Sequence, residues 1–125
     1  MNFLLDTHIL LWWLDDHSSL SRPIRDVLAD PQHMIFVSAV SAWEIAIKKS
    51  LGKLKAPDNL EEVIQTNGFE PLPITIPHAL MVGQLPYHHD DPFDRLLVAQ
   101  ACLEKLTLIT CDAKQMLYDV RCFKG

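Results

Sequence analysis

The chain is short of the features that mark a secreted, membrane-spanning or basic protein. Its three cysteines (Cys102, Cys111 and Cys122) are odd in number and have no CxxC spacing. That argues against a disulfide framework, and reduced thiols in a cytosolic protein are the simplest reading. No apolar stretch approaches the ~20 residues needed to cross a bilayer. The start, Met1-Asn2-Phe3-Leu4-Leu5-Asp6, lacks the basic region of a signal peptide and soon meets an acid. A cytoplasmic location without a membrane partner is therefore expected. Positive charge is scarce as well: 11 Lys and Arg against 16 Asp and Glu leave a net charge of −5. This argues against a protein that holds nucleic acid mainly by bulk electrostatics. A nuclease is not excluded, because acidic metal ligands enter that sum and bound cations offset them. Repeats, linkers and low-complexity segments are missing too, so residues 1–125 read as one domain. Such a length buries roughly two-thirds of its unfolded surface.

What is present is organised around residues 91–103, Asp-Pro-Phe-Asp-Arg-Leu-Leu-Val-Ala-Gln-Ala-Cys-Leu. Asp91 is a good helix cap, Pro92 suits the first helical position and Asp94 falls at the third. From Leu96 to Leu103 only Gln100 is polar, so the helix must be buried nearly all round. A carboxylate at the mouth of such a helix sits beside the core, where an unpaired charge is costly. The helix terminus offers it only about 0.3–1 kcal/mol. The rest of the chain supplies further carboxylates rather than a dedicated arginine, which points to a metal ion.

Strand and helix signals alternate along the chain. Residues 2–5 read as a buried strand, followed by a helix over roughly 8–15 capped by Asp6 or Thr7. Trp12 and Trp13 cannot easily both face one core; either one serves a partner surface or both are half-buried. Ser21 opens a second helix with Pro23 in its first turn, and Met34–Val37 is a second strand. Ser38 or Ser41 opens a helix to about Leu51, closed by Gly52. Val40, Trp43, Ile47 and Leu51 make an apolar stripe on it, and Glu44 lies on that stripe. Asp58 caps a helix over about 59–67 that Gly68 ends, Phe69–Leu72 is a short strand, and a helix follows near 78–84. Thr107–Thr110 reads as a strand, Ala113–Leu117 as a helix and Val120–Phe123 as a last strand. The expected fold class is α/β, a sandwich around a largely parallel sheet.

In open parallel sheets, sites form beyond the carboxyl ends of the strands. Asp6 ends the first strand, Glu44 follows the second, Asp94 opens the central helix and Asp112 follows the later strand. Two carboxylates 4 Å apart repel by about 4 kcal/mol at an effective dielectric near 20, so a cation is expected. Oxygen ligands favour Mg²⁺ or Mn²⁺ over zinc, and such an ion activates water for attack on a phosphodiester. Each acid also has a plainer reading. Asp6 and Asp112 can be helix caps, Asp94 a capping-box partner of Asp91, and Asp91 a cap first and a site residue second. Thr7 and Thr110 can orient a carboxylate or water, or simply cap. Arg95 can pair with an acid of its own chain or of a partner. His8, His88 and His89 lack an H-x₃₋₅-H spacing and are not read as ligands. Lys48, Lys49, Lys53 and Lys55 form a basic run, either a solvated helix end or a contact for phosphates.

Four segments carry a family resemblance: Leu5-Asp6-Thr7-His8, Ser41-Ala42-Trp43-Glu44-Ile45, Asp91-Pro92-Phe93-Asp94-Arg95-Leu96-Leu97-Val98-Ala99-Gln100-Ala101, and Leu108-Ile109-Thr110-Cys111-Asp112. Over essentially its whole length the chain resembles the PIN-domain family, specifically the VapC-type toxins of type II toxin–antitoxin pairs. The resemblance implies a PIN-like three-layer α/β/α sandwich. It also implies a Mg²⁺-dependent (or Mn²⁺-dependent) endoribonuclease whose acids match Asp6, Glu44, Asp94 and Asp112. Hydrolysis leaving a 5′-phosphate and a 3′-hydroxyl, a homodimer, and a cognate VapB-like antitoxin inserting a peptide near the site come with it. Relatives often read His-Arg-Asp-Pro where this chain has His89-Asp90-Asp91-Pro92, so a cation beside the cluster is replaced by an acid.

Other functions fit less well. A non-catalytic PIN-like module that binds RNA or protein has no need for four mutually repelling acids. A phosphorylated receiver domain needs an acidic pair after strand one and a phosphoacceptor ending a middle strand, where this chain has Asp6 alone and Val37-Ser38. A haloacid-dehalogenase-like phosphatase needs Asp-x-Asp-x-Thr, and Asp6-Thr7-His8 lacks the second acid.

Overall fold

The computed structural model describes residues 1–124. Five strands, β1 (Asn2–Leu5), β2 (Met34–Ser38), β3 (Glu70–Leu72), β4 (Thr107–Ile109) and β5 (Cys122–Phe123), form one sheet in the order β3-β2-β1-β4-β5. Every pairing is parallel. Helices α1 (Thr7–Leu14), α2 (Arg22–Ala29), α3 (Ala39–Ser50), α4 (Leu60–Thr66), α5 (Ile76–Val82) and α6 (Pro92–Glu104) supply the outer layers. The chain moves outward from β1 through β2 to β3, then returns across the sheet to β4. A switch point therefore opens between β1 and β4, beyond the carboxyl ends of the strands.

Two apolar cores explain why β1 is an unbroken hydrophobic run. Phe3 and Leu5 join Ile9, Leu10, Ile24 and Leu28 on one face, while Leu4 joins Leu97, Val98 and Leu108 on the other. Successive strand residues feed opposite faces, so a strand buried on both sides must be apolar throughout. Each such buried side chain contributes about 1.5–3 kcal/mol. Trp12 and Trp13 are both half-buried against the first core, and Trp13 Nε1 donates to Asn67 Oδ1 at 3.0 Å.

The central helix α6 is capped as expected: Asp91 Oδ1 accepts from the amides of Phe93 (2.8 Å) and Asp94 (3.1 Å). It is buried on most sides rather than all, since Leu103 is exposed. Its fully buried Gln100 donates to Pro73 O at 3.2 Å and accepts from Ser38 Oγ. Ser38, not Ser41, is the cap of α3, and its Oγ also accepts from Val40 N at 2.9 Å. Gly52 (φ +71°) and Gly68 (φ +75°) take the left-handed conformation just after α3 and α4, which a side chain adopts only at a cost.

Several local expectations need correction. The expected stripe on α3 is rotated: Trp43, Ile47 and Leu51 are exposed, and the buried face is Val40, Ser41, Glu44 and Ile45. Hydrophobicity alone misplaces that face, because Val40 and Ile45 enter the two cores while Ser41 and Glu44 beside them are buried as polar groups. Asp58 does not cap α4; it pairs with Lys49, and Asn59 holds the cap position without a side-chain bond. Helix α5 begins earlier, at Ile76, through a capping box between Thr75 and His78. Residues 113–117 make only a 3₁₀ turn at Gln115–Leu117, since the buried Gln115 is drawn inward to Thr110 and Asp94 O.

Candidate active site

The parallel register sets Leu5 opposite Ile109, so the residues that follow, Asp6 and Thr110, leave the sheet side by side. Asp6 is buried. Its Oδ1 accepts from His8 N at 2.8 Å, capping α1, while Oδ2 lies 2.6 Å from Thr110 Oγ1. Thr110 therefore orients a carboxylate. Thr7 does not: its hydroxyl donates to Ser41 Oγ at 2.8 Å, tying α1 to α3.

Asp112 divides its oxygens in the same way. Oδ1 accepts from Lys114 N (2.8 Å) and Gln115 N (3.3 Å), and Oδ2 meets His89 Nε2 at 2.8 Å. Burial raises its pKa, but the His89 bond and the two amides outweigh that and leave it lowered. For Asp6 and Asp112, capping and membership of the pocket hold together, one oxygen to each.

Asp94 sits at the third position of α6, with Oδ2 3.0 Å from His89 Nε2. It is not the capping-box partner of Asp91, because the amide of Asp91 donates instead to His89 Nδ1 at 3.1 Å. Its carboxyl is pushed up to about 7, first by burial, then by the charges of Asp91 and Asp6, with His89 opposing and Glu44 adding. Asp91 is thus a cap whose charge also bears on the pocket.

Glu44 projects from α3 and is only 2% exposed. Its Oε2 accepts from Lys48 Nζ, and its Oε1 is buried with no partner among the described residues. Such an orphan is costly unless a cation satisfies it. The pair raises the pKa of Lys48, mainly through the hydrogen bond to Glu44. The basic run is thereby split: Lys48 turns to the pocket, Lys49 pairs with Asp58, and Lys53 and Lys55 are exposed. His8, exposed at the rim, has its pKa raised by its bond to Asp6, against burial, with the charges of Asp6, Glu44 and Asp94 adding. A cleft of about 220 Å³ is lined by Asp6, His8, Trp12 and Asp112 among others.

Asp6 and Asp112 thus line one cleft, His89 joins Asp94 to Asp112, and the charges of Asp6, Asp91 and Glu44 bear on Asp94, with Thr110 orienting Asp6. Arg95 takes another role. It is buried and pairs with no acid among the described residues; its guanidinium donates to Val82 O and Pro86 O (both 2.9 Å) and to Tyr118 Oη (3.0 Å). Tyr118 Oη also accepts from the amides of His88 and His89. Arg95 and Tyr118 thereby pin the loop that carries His89. Sequence reasoning set His89 aside for want of a paired-ligand spacing, yet its ligand atom lies within 4.8 Å of those of Asp94 and Asp112. The available signal was its place two residues before the capping Asp91. Asp90 is exposed.

A parallel α/β sandwich with acids gathered at its switch point defines the class. Within it, the PIN domain model matches residues 3–121, and the chain belongs to the PIN-domain family. No curated protein matches it. Among solved structures it is similar to VapBC2 from Rickettsia felis, bound to a DNA fragment from their promoter (18% identity, 98% of each chain covered, TM-score 0.69). It is likewise similar to a toxin–antitoxin complex from Klebsiella pneumoniae (23%, 91% of this chain and 89% of that one, TM-score 0.60). A third, FitAcB from Neisseria gonorrhoeae, gives 22% identity over 99% of this chain and 97% of that one, with a TM-score of 0.60. At these identities the likeness establishes the fold.

Proposed function

We propose that the chain is the toxin of a type II toxin–antitoxin pair, a VapC-type endoribonuclease dependent on Mg²⁺ or Mn²⁺ and restrained by a VapB-like antitoxin. One observation carries this reading: Glu44, the most deeply buried of the four acids, keeps an oxygen, Oε1, without a partner among the described residues, and its charge bears on Asp94. That vacancy of hydrogen bonding, in an oxygen-dominated donor set, suits a hard divalent cation. PIN domains are generally nucleases that use divalent metals.

Asp6, Glu44, Asp94 and Asp112 are the residues to hold the ion. When bound, it supplies water activation and offsets charge on the phosphodiester, leaving a 5′-phosphate and a 3′-hydroxyl. The chain's own part is orientation. Thr110 sets Oδ2 of Asp6, backbone amides set Asp112, and Lys48 draws Glu44 toward its own turn. Exposed Lys53 and Lys55 can attract the polyanion, and Trp12 beside the cleft offers a ring on which a base can stack.

The antitoxin is proposed from the likeness to VapBC2 and to the Klebsiella pneumoniae toxin–antitoxin complex, the homodimer from the family resemblance, and the exposed Trp43, Leu51, Ile76, Leu80 and Tyr87 offer apolar surface for either. Incubating the protein with total RNA, with Mg²⁺ or with EDTA, tests the activity. Cleavage is expected only with the metal, and Asp94→Asn or Glu44→Gln is expected to lower it at least about 100-fold with unchanged circular dichroism. Cleavage by Asp94→Asn at the parent rate overturns the site. RNA binding without cleavage under any metal makes the protein a binding module.

A further inference from the structure

We infer that His89 is a tethered stand-in for the metal: its Nε2–H occupies the position between Asp94 and Asp112 that a divalent ion must take, and ion binding displaces it. This rests on the proposed metal site and assigns a role within it to a residue outside the acid set.

The tautomer decides the matter. The amide N–H of Asp91 points at Nδ1 from 3.1 Å, so Nδ1 carries the lone pair and cannot carry a proton. The proton of the neutral ring is then on Nε2, which faces Asp112 Oδ2 at 2.8 Å and Asp94 Oδ2 at 3.0 Å. A histidine ligating through Nε2 needs its lone pair there and a proton on Nδ1. That proton would face the Asp91 N–H, donor against donor. His89 as placed is therefore a donor to the acids rather than a ligand beside them.

Space gives the second reason. Mg²⁺ sits about 2.0–2.1 Å from its oxygens. An ion that close to both Oδ2 atoms cannot coexist with a nitrogen within hydrogen-bond distance of the same two atoms. The loop holding the ring is anchored through its backbone by Tyr118 and Arg95, so the side chain can swing aside without unfolding the loop. His89 thus shields two repelling carboxylates while the ion is absent, and opposes its entry.

Mn²⁺ binding to the metal-free protein, followed by the electron paramagnetic resonance of the free ion, tests this in wild type and His89→Ala. The variant is expected to bind about tenfold more tightly, about 1.4 kcal/mol. Equal affinity overturns the displacement, and weaker affinity identifies His89 as a ligand. If neither protein binds Mn²⁺, this inference and the metal-site reading both fall; if wild type binds and His89→Ala matches it, only this inference falls. Should the variant not fold, imidazole ¹⁵N spectra of wild type with and without Mg²⁺ serve instead. The Nε2–H tautomer is expected without Mg²⁺, with loss of its bonded shift on saturation. An Nδ1–H tautomer, or a ring unmoved by Mg²⁺, refutes the inference.

Discussion

Replacing Asp94 by asparagine separates the cost of its charge from the rest of what the residue does. Burial and the charges of Asp91, Asp6 and Glu44 push this carboxyl up to about 7, with His89 opposing them; an unfolded chain holds it near ~3.9. The folded protein therefore keeps the proton more tightly. The stability this provides is complete below about pH 4 and is lost as pH rises toward 7. Asparagine has the shape of the protonated acid, still accepts from His89 Nε2 and never ionises. Asp94→Asn is thus expected to stabilise the metal-free protein, and more so at pH 8 than at pH 5. From pH 5 to the folded-state value lie about 2 pH units, or at most about 3 kcal/mol at ~1.4 kcal/mol each. Because 13% of the side chain meets solvent, screening brings the expected difference to about 1.5 kcal/mol. Urea unfolding of both proteins at the two pH values in EDTA, read as a change of Cm at constant m, measures it. An advantage that is equal at both pH values, or larger at pH 5, refutes the account of Asp94. Saturating Mn²⁺ should reverse the order, since an ion at 100 times its Kd adds about 2.7 kcal/mol to wild type alone.

Lys48→Met leaves both oxygens of the buried Glu44 without a partner. Because Lys48 is itself 32% exposed, the expected loss is about 1–2 kcal/mol rather than the full cost of breaking a buried pair, and Mn²⁺ should restore it in urea melts. Arg95→Ala strands the carbonyls of Val82 and Pro86 and is expected to cost about 2–4 kcal/mol. Amide exchange should accelerate first over residues 83–91, and an unaltered exchange pattern there would dismiss Arg95 as the loop's anchor.

The parts of the candidate site whose placement is legible in the chain are those set by local chemistry. Asp6 and Asp112 each end an apolar strand run, and a strand buried on both faces advertises where it stops. Asp91 and Pro92 mark a helix start by capping alone. Glu44 faces inward although the stripe meant to locate it is rotated. Val40 and Ser41, four and three positions before it, are buried and carry it inward, whereas Trp43 and Ile47 lie on the surface. What stayed hidden depends on distant partners. His89 acquires its place only because Tyr118, far along the chain, accepts from its backbone, and because Asp91 turns an amide toward its ring. Arg95 read as an ion-pairing residue because spacing does not show that the loop before α6 folds back over it. Gln100 was visible as the one polar residue of a core helix, yet its acceptor bond from Ser38 and its donation to Pro73 O join three separate elements.

The pocket also answers how four repelling acids are folded before any ion arrives. Each carboxylate meets a donor from its own chain: Thr110 for Asp6, Lys48 for Glu44, and the shared Nε2–H of His89 for Asp94 and Asp112. The donors differ in what they ask of an incoming cation. Thr110 reinforces the orientation of an acid and can remain. Lys48 satisfies one oxygen of Glu44 and leaves the other open, so it also can remain. His89 alone spans two acids with a single proton, and it alone must move. On the proposed metal site, affinity is therefore a difference between the ion's hold on Asp94 and Asp112 and the ring's, and changes to residues 83–91 that never touch the ion should alter it through the ring.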